Sequence, residues 1–133
     1  MLRRILAVIV AALVGSLVIW AVQSIGHLVY PLPEGLDTGD LEQMKAYVAS
    51  LPLGAFGFIL AAYVLGSFAA GWTAVSIAKT MGPALAAGVV FTLAGIANVL
   101  LIPHPLWFAV ATLLCYVPCA LLGGRLSPGR PRG

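Results

Sequence analysis

A run of 33 residues from Ala46 to Ala78 contains no Asp, Glu, Lys, Arg or His. About 20 apolar residues in a helix are enough to cross the roughly 30 Å hydrocarbon core of a bilayer. A chain of 133 residues has too little interior to bury such a run on all sides. The run therefore predicts a membrane span, and three further apolar runs are interpreted as its neighbours.

The composition also favours a membrane protein. Hydrophobic residues make up 62% of the chain and charged residues 8%, with a mean hydropathy of +1.08, whereas soluble domains are about 25% charged. The net charge of +3 does not indicate a nucleic-acid partner, because the basic residues lie at the ends of apolar runs and form no stripe. Membrane lipid is the expected surrounding.

The order of apolar runs predicts an all-α integral membrane protein, a four-transmembrane-helix bundle. The four spans cover about residues 4–29, 51–78, 83–102 and 106–123. Residues 1–124 then form a single transmembrane domain, and residues 125–133 a flexible basic tail. The first run also resembles a signal peptide, but its apolar core of about 18 residues is long for one, so we expect it to stay uncut.

Residues 30–50 form the only long polar connection, on the predicted outer side. Asp40 followed by Gln43 resembles a capping box. Apolar residues then recur at helical spacing, at Leu41, Met44 and Val48. The pattern predicts a short amphipathic helix at about 40–49 that lies on the membrane surface. Ser50 is predicted to cap the second span.

Lysine and arginine are distributed unevenly between the two sides of the predicted bundle. One side carries Arg3, Arg4, Lys79, Arg125, Arg130 and Arg132, and the other carries only Lys45. The four acidic residues, Glu34, Asp37, Asp40 and Glu42, share the side of Lys45. The positive-inside rule then predicts a multi-pass protein of the bacterial inner (plasma) membrane with both termini in the cytoplasm.

Small residues recur four positions apart in every span. The ladders are Ala7, Ala11 and Gly15; Ala62, Gly66, Ala70 and Ala74; Ala84, Gly88 and Thr92; and Ala111, Cys115, Cys119 and Gly123. Small residues let helices approach closely in lipid, where burial from water does not drive association. The ladders predict intimate helix contacts, and their number predicts a homo-oligomer, a dimer or trimer.

Polar residues of the spans converge on the predicted outer side. They are Gln23, His27, Asn98 and His104, and the acids Glu34 and Asp37 lie nearby in the sequence. Because polar groups at membrane depth are costly, such a cluster indicates a role. One hypothesis is an outer-face site for a divalent metal or a small polar ligand, with two imidazoles and one carboxylate as ligands. The alternative is a polar network that ties the helix ends together.

The only two cysteines, Cys115 and Cys119, lie one helical turn apart. A soft-metal or redox pair is one interpretation. A regular helix does not favour a disulfide between them, and no further ligand accompanies them. We interpret both as small hydrophobic members of the fourth packing ladder.

Three stretches carry a resemblance to a family of small bacterial four-transmembrane-helix proteins with no assigned function. They are residues 26–37 (GHLVYPLPEGLD), 66–72 (GSFAAGW) and 98–108 (NVLLIPHPLWF). The resemblance implies only that the first and third stretches belong to one site or one folding unit. The chain also resembles small multidrug resistance transporters in length and span number. It lacks their membrane-embedded glutamate, and its first span offers only Gln23.

The sequence contains no Walker A, GxSxG or HExxH motif. We therefore expect neither an enzyme nor a cofactor. The favoured interpretation is a structural or accessory membrane protein that associates with itself. Two alternatives stay open, a transporter or channel subunit for a small solute or ion, and a metal or lipid binder at the outer face.

Overall fold

The computed structural model describes residues 1–131, which form five helices. The four long ones are α1 (Leu2–Val29), α3 (Leu53–Ala78), α4 (Gly82–Leu101) and α5 (Leu106–Leu126), and the short one is α2 (Leu41–Ala49). Each long helix is long and apolar enough to cross a membrane. The structure thus confirms the four-helix bundle with a short helix before its second span, and the chain is a multi-pass membrane protein.

The two ends of the bundle differ in charge. One end carries α2 and the four acidic residues, and we call it the α2 end. The opposite end carries Arg3, Arg4, Lys79, Arg125 and Arg130, and we call it the basic end. At the basic end the Nε of Arg3 donates to the Ile77 carbonyl at 2.6 Å, which joins the start of α1 to the end of α3.

The boundary between α2 and α3 differs from the prediction. Ser50 donates its Oγ to the Tyr47 carbonyl at 2.7 Å and follows the last residue of α2, so it does not cap the second span. Pro52 occupies the N-cap position of α3 and makes no side-chain cap. The predicted cap at Asp40 is present, because its Oδ1 accepts from the backbone nitrogens of Glu42 and Gln43.

The helix α5 passes through Gly123 and Gly124, where the sequence suggested an end. A Cβ at Gly123 would collide with the Phe68 carbonyl, and one at Gly124 would lie 2.8 Å from the Val75 side chain. Both glycines therefore allow α5 to pack closely on α3. That contact offsets the low helix propensity of glycine, which costs about 1 kcal/mol per residue relative to alanine.

Two residues of the predicted flexible tail, Ser127 and Gly129, pack against the end of α3. Ser127 is 2% exposed, and its Oγ lies 2.8 Å from the Oγ of Ser76. Gly129 is also buried, against the backbone of Val75 and Ser76. These two residues are small enough to lie directly on a helix end. Arg132, which the prediction also placed in the tail, lies outside the described residues.

The central helix is α3, which contacts α1, α4 and α5. It crosses the antiparallel α1 at Gly15 and Gly66, where a Cβ on either glycine would lie 2.8 Å from the carbonyl oxygen of the other. It contacts the parallel α5 on a different face, where a Cβ at Gly71 would collide with the Ala120 carbonyl. The backbones therefore touch at both crossings.

The structure buries the small residues of α1, α3 and α4 that the ladders named, except for Thr92, which is half-buried. In α5 the buried stripe is shifted by one residue. Ala111, Cys115 and Cys119 are half-buried, whereas Thr112, Tyr116 and Ala120 are buried with Gly123 and Gly124. The shift arises because the large rings of Phe108 and Tyr116 point into the bundle interior. A prediction based on small residues alone does not include these two positions.

The ladders of α1, α3 and α4 are used within one chain, so they are not surplus faces. The homo-oligomer therefore stays a prediction, and the half-buried stripe of α5 is the small-residue face left for it. Both cysteines on that stripe are free. The Cys115 Sγ donates to the Thr112 carbonyl at 3.1 Å, a contact within its own helix.

Substituting Gly71 with alanine should destabilise the bundle by about 2–3 kcal/mol or prevent folding, because the added methyl group meets the α5 backbone rather than a movable side chain. Gly57→Ala in the same helix is the matched control, since nothing lies within 4 Å of its Cβ position. The control should change stability by at most about 1 kcal/mol. Unfolding of the purified proteins in mild detergent measures both, and equal stability of Gly71→Ala and wild type would contradict the contact.

Candidate functional site

The short helix α2 covers the α2 end of the bundle. Asp40 caps its N-terminus, and the one residue of α2 that is buried is Val48, which is 7% exposed. Val48 packs in a hydrophobic cluster with Phe56 of α3 and Phe108 of α5. Of the predicted amphipathic face, Val48 therefore packs on other helices of the same chain, while Leu41 at its far end stays 42% exposed.

Beneath α2 lies a cavity of about 250 Å³, which we call the α2 cavity. Its polar lining comes from α1, the connection to α2, α2 itself, α3, α4 and the turn before α5. These side chains are Gln23, His27, Tyr30, Thr38, Tyr47, Tyr63, Asn98 and His104. Apolar side chains form the remaining wall, among them Met44, Phe58, Ile59 and Ile102.

Four of the six predicted site residues share this cavity, namely Gln23, His27, Asn98 and His104. They come from the end of α1, the end of α4 and the turn before α5. Gln23 and Asn98 are half-buried, whereas His27 is exposed and lies towards the solvent side of the lining. The structure thus brings together the polar residues of three separate segments.

Glu34 and Asp37 do not line the cavity. The Asp37 Oδ1 accepts from the backbone nitrogen of Gly39 at 2.9 Å, and its own backbone nitrogen donates to Gln43 Oε1 at 2.9 Å. Glu34 is exposed in the turn before α2. Within residues 1–131, no group of three or more His, Cys, Asp or Glu residues could hold a metal ion. The carboxylate that the metal hypothesis requires is therefore missing from the site.

Two of the acidic residues, Asp40 and Glu42, instead stabilise α2. Asp40 caps its N-terminus, where the helix dipole favours negative charge. Glu42 forms an ion pair with Lys45 at 3.2 Å on the surface of the same helix. Such exposed pairs contribute less than about 1 kcal/mol. These acidic residues therefore help to form α2, and they contribute no side chain to the cavity.

His104 is held in a fixed orientation. Pro103 and Pro105 restrict its backbone on both sides. Its ring stacks on Phe108 with centroids 5.4 Å apart and an interplanar angle of 22°, and Phe108 is 1% exposed. The Nδ1 of His104 is buried without a hydrogen-bond partner from the protein. Since most buried polar atoms have a partner, this nitrogen is available to a molecule in the cavity.

Sequence reasoning missed the tyrosines of the lining. Tyr63 lines the cavity from α3, and Tyr47 lines it from α2. The spacing of Met44, Tyr47 and Val48 puts Tyr47 on the inner face of α2, and that signal was present in the sequence. Tyr63 follows Phe56 and Ile59 at the same helical spacing.

The cavity ends before the middle of the bundle. Gln23 lies six residues before the end of α1, or about 9 Å along the helix, and Tyr63 lies ten residues after the start of α3, or about 15 Å. Beyond them α1 and α3 cross in backbone contact at Gly15 and Gly66. The side chains that line the cavity include no Asp, Glu, Lys or Arg. The site is therefore a pocket that ends before the middle of the bundle and has no acidic, lysine or arginine side chain in its lining.

Burial raises the pKa of the Tyr47 phenol above its ordinary value of 10.0. The folded chain therefore keeps this proton at a pH where the unfolded chain loses it. The contribution of Tyr47 to the stability of the folded state is complete below pH 10, and it falls as the pH rises beyond that value. Tyr47→Phe should lose less stability than wild type as the pH rises above 10. Unfolding temperatures across this range test the expectation, and an identical pH dependence would contradict it.

In comparisons with family models, with curated proteins and with solved structures, no match to this chain was found. The resemblance carried by residues 26–37 and 98–108 therefore stays a prediction. Both stretches contribute side chains to the α2 cavity, His27 and Tyr30 from the first and Asn98 and His104 from the second. What can be said of function rests on the geometry of this cavity.

Proposed function

We propose that this protein binds a small lipid-soluble molecule in the α2 cavity. The observation that carries the proposal is the convergence of amide, imidazole and phenol groups on a cavity of about 250 Å³ inside a membrane bundle. Natural ligand sites are concave, largely apolar and equipped with a few polar groups that fix orientation. The α2 cavity has this composition, and its volume lies just below the usual range of about 300–1,000 Å³.

Two features favour binding over conduction. The cavity stops above the crossing of α1 and α3, where Gly15 and Gly66 bring the backbones together. At that crossing the Phe91 ring lies against Gly15, and it stacks on Tyr116 with ring centroids 6.2 Å apart. A transporter or channel role would require these contacts to open, so it is the weaker candidate. The structural or accessory role predicted from the sequence does not use the cavity.

The placement of charge supports a topology in which the α2 end faces outwards. Five of the basic residues, Arg3, Arg4, Lys79, Arg125 and Arg130, lie at the basic end. The α2 end carries four acids and Lys45. By the positive-inside rule we propose a protein of the bacterial inner membrane with cytoplasmic N- and C-termini. The cavity would then open to the outer leaflet.

The purified protein should retain a bound molecule that the double variant Gln23→Leu/Asn98→Leu loses. Leucine removes the amide groups while keeping side chains that suit lipid, so the bundle should still fold. Solvent extraction of the purified proteins followed by mass spectrometry measures retention. We expect at least tenfold less of the molecule in the double variant than in wild type, because two hydrogen bonds of about 1 kcal/mol each are lost.

Thr92→Val is the matched control for this experiment. Thr92 also lies on α4, does not line the cavity, and donates its hydroxyl to the Gly88 carbonyl of its own helix at 2.8 Å. The control should retain the molecule at the wild-type level. A wild-type protein that carries no molecule above the level of the double variant would contradict the proposed function.

A reporter fused after residue 133 tests the topology separately. Alkaline phosphatase folds to an active form only outside the cytoplasm, so the fusion should be inactive, whereas a fusion within the loop at residue 35 should be active. The loop site is suitable because Gly35 is exposed and nothing lies within 4 Å of its Cβ position. Active enzyme at the C-terminus would contradict the proposed orientation.

A further inference from the structure

We infer that the occupant of the α2 cavity is a single-chain lipid with an uncharged head that carries hydroxyl or carbonyl groups. The inference rests on the proposed binding function and goes beyond it by naming the class of ligand. It depends on three properties of the cavity: the absence of Asp, Glu, Lys and Arg from its lining, the supply of hydrogen-bonding groups, and the limited volume.

The charge of the lining excludes most lipid head groups. Phosphate and carboxylate heads require a cationic partner when they leave water, and ammonium heads require an anionic one. No Lys, Arg, Asp or Glu side chain lines the cavity. Asp37, the nearest acid in sequence to the lining residue Thr38, is exposed and occupied with Gly39. An ammonium head in this cavity would therefore be desolvated without a counter-charge, and an anionic head would meet no group other than the two imidazoles, His27 and His104, that could balance it.

The hydrogen-bonding groups of the cavity match an uncharged polar head. Gln23 and Asn98 each offer both donors and an acceptor, and Tyr63 offers a hydroxyl. The buried Nδ1 of His104 has no partner from the protein, and its ring cannot turn away freely because it stacks on Phe108. Hydroxyl and carbonyl groups complement all of these, since a hydroxyl both donates and accepts.

The volume and the apolar wall indicate one hydrocarbon chain. A space of about 250 Å³ holds a small head and the start of a chain, but not two chains side by side. Met44, Ile59 and Ile102 supply the apolar surface that such a chain contacts. Because the cavity lies within the first half of the bundle, a lipid of one leaflet reaches it without crossing the membrane.

Three lipids with the same oleoyl chain test the inference, namely monoolein with a neutral head, oleic acid with an anionic head and oleylamine with a cationic head. Each is added to the delipidated full-length protein in mild detergent, and the unfolding temperature is measured. Monoolein should raise it by about 5 °C at saturating concentration. The two charged lipids should raise it by less than a third of that amount.

His104→Phe is the diagnostic variant, because it keeps a ring that can stack on Phe108 and removes the nitrogens. Its apparent affinity for monoolein should fall at least tenfold, whereas Thr92→Val should bind as wild type does. A variant that fails to fold would be replaced by Asn98→Leu, for which the same loss is expected. Wild-type affinity in both His104→Phe and Asn98→Leu would overturn the assignment of these recognition groups.

The remaining outcomes separate the two proposals. Equal stabilisation by oleic acid or oleylamine would overturn the uncharged head and leave the binding function intact. No stabilisation by any of the three, with a molecule still retained through purification, would overturn the single-chain class alone. No stabilisation and no retained molecule would overturn the proposed function as well.

Discussion

The structure depends on direct backbone contact between α3 and two neighbouring helices. Gly66 meets Gly15 of α1, and Gly71 meets the Ala120 carbonyl of α5. These glycines are five residues apart, so they lie on well-separated faces of α3, about 140° around the helix axis. Lipid offers no hydrophobic drive for association, and contact at this distance supplies dispersion attraction that larger side chains would prevent. The position of α3 between α1 and α5 follows from this arrangement.

The cavity exists because the close contact stops partway along α3. From Gly66 towards the basic end, the buried positions of α3 carry no aromatic ring and none is larger than Val75, whereas towards the α2 end they include Phe56 and are bordered by Phe58 and Tyr63. Phe58 packs against Gly26 of α1, which makes room for its ring there. Large rings separate helices that small residues hold together, and the space between them is the pocket that α2 covers. One helix therefore provides both the closed half of the bundle and the open half.

The sequence predicted the features that follow from a local residue pattern, such as the spans. It did not predict which face of a helix is buried, because that depends on the neighbouring helices. The hydropathy pattern predicted the four spans to within a few residues. Because Gln23 and Asn98 lie near the ends of their predicted spans on the same side, it also predicted that they lie close together in depth. The one-residue shift of the α5 stripe was not predictable, because small size marks Cys115 and Ala120 equally and only the partner helices decide which is buried. The buried position of Ser127 likewise depends on a contact 51 residues away, with Ser76.

Acidic residues near the cavity contribute to the folding of α2 and do not line the cavity itself. Glu34 and Asp37, together with two histidines, suggested a metal site, yet the structure uses Asp37 and Asp40 to begin α2 and leaves the cavity lining without an acidic residue. A carboxylate in the cavity would need a buried cation, and desolvating such a pair often costs as much as it returns. Placing the charges on the cover instead keeps them in water and still orders the helix that closes the pocket. The lining of the cavity thus contains no acidic residue although four lie in the adjacent connection, and for the proposed ligand this favours groups that bind through hydrogen bonds and apolar contact.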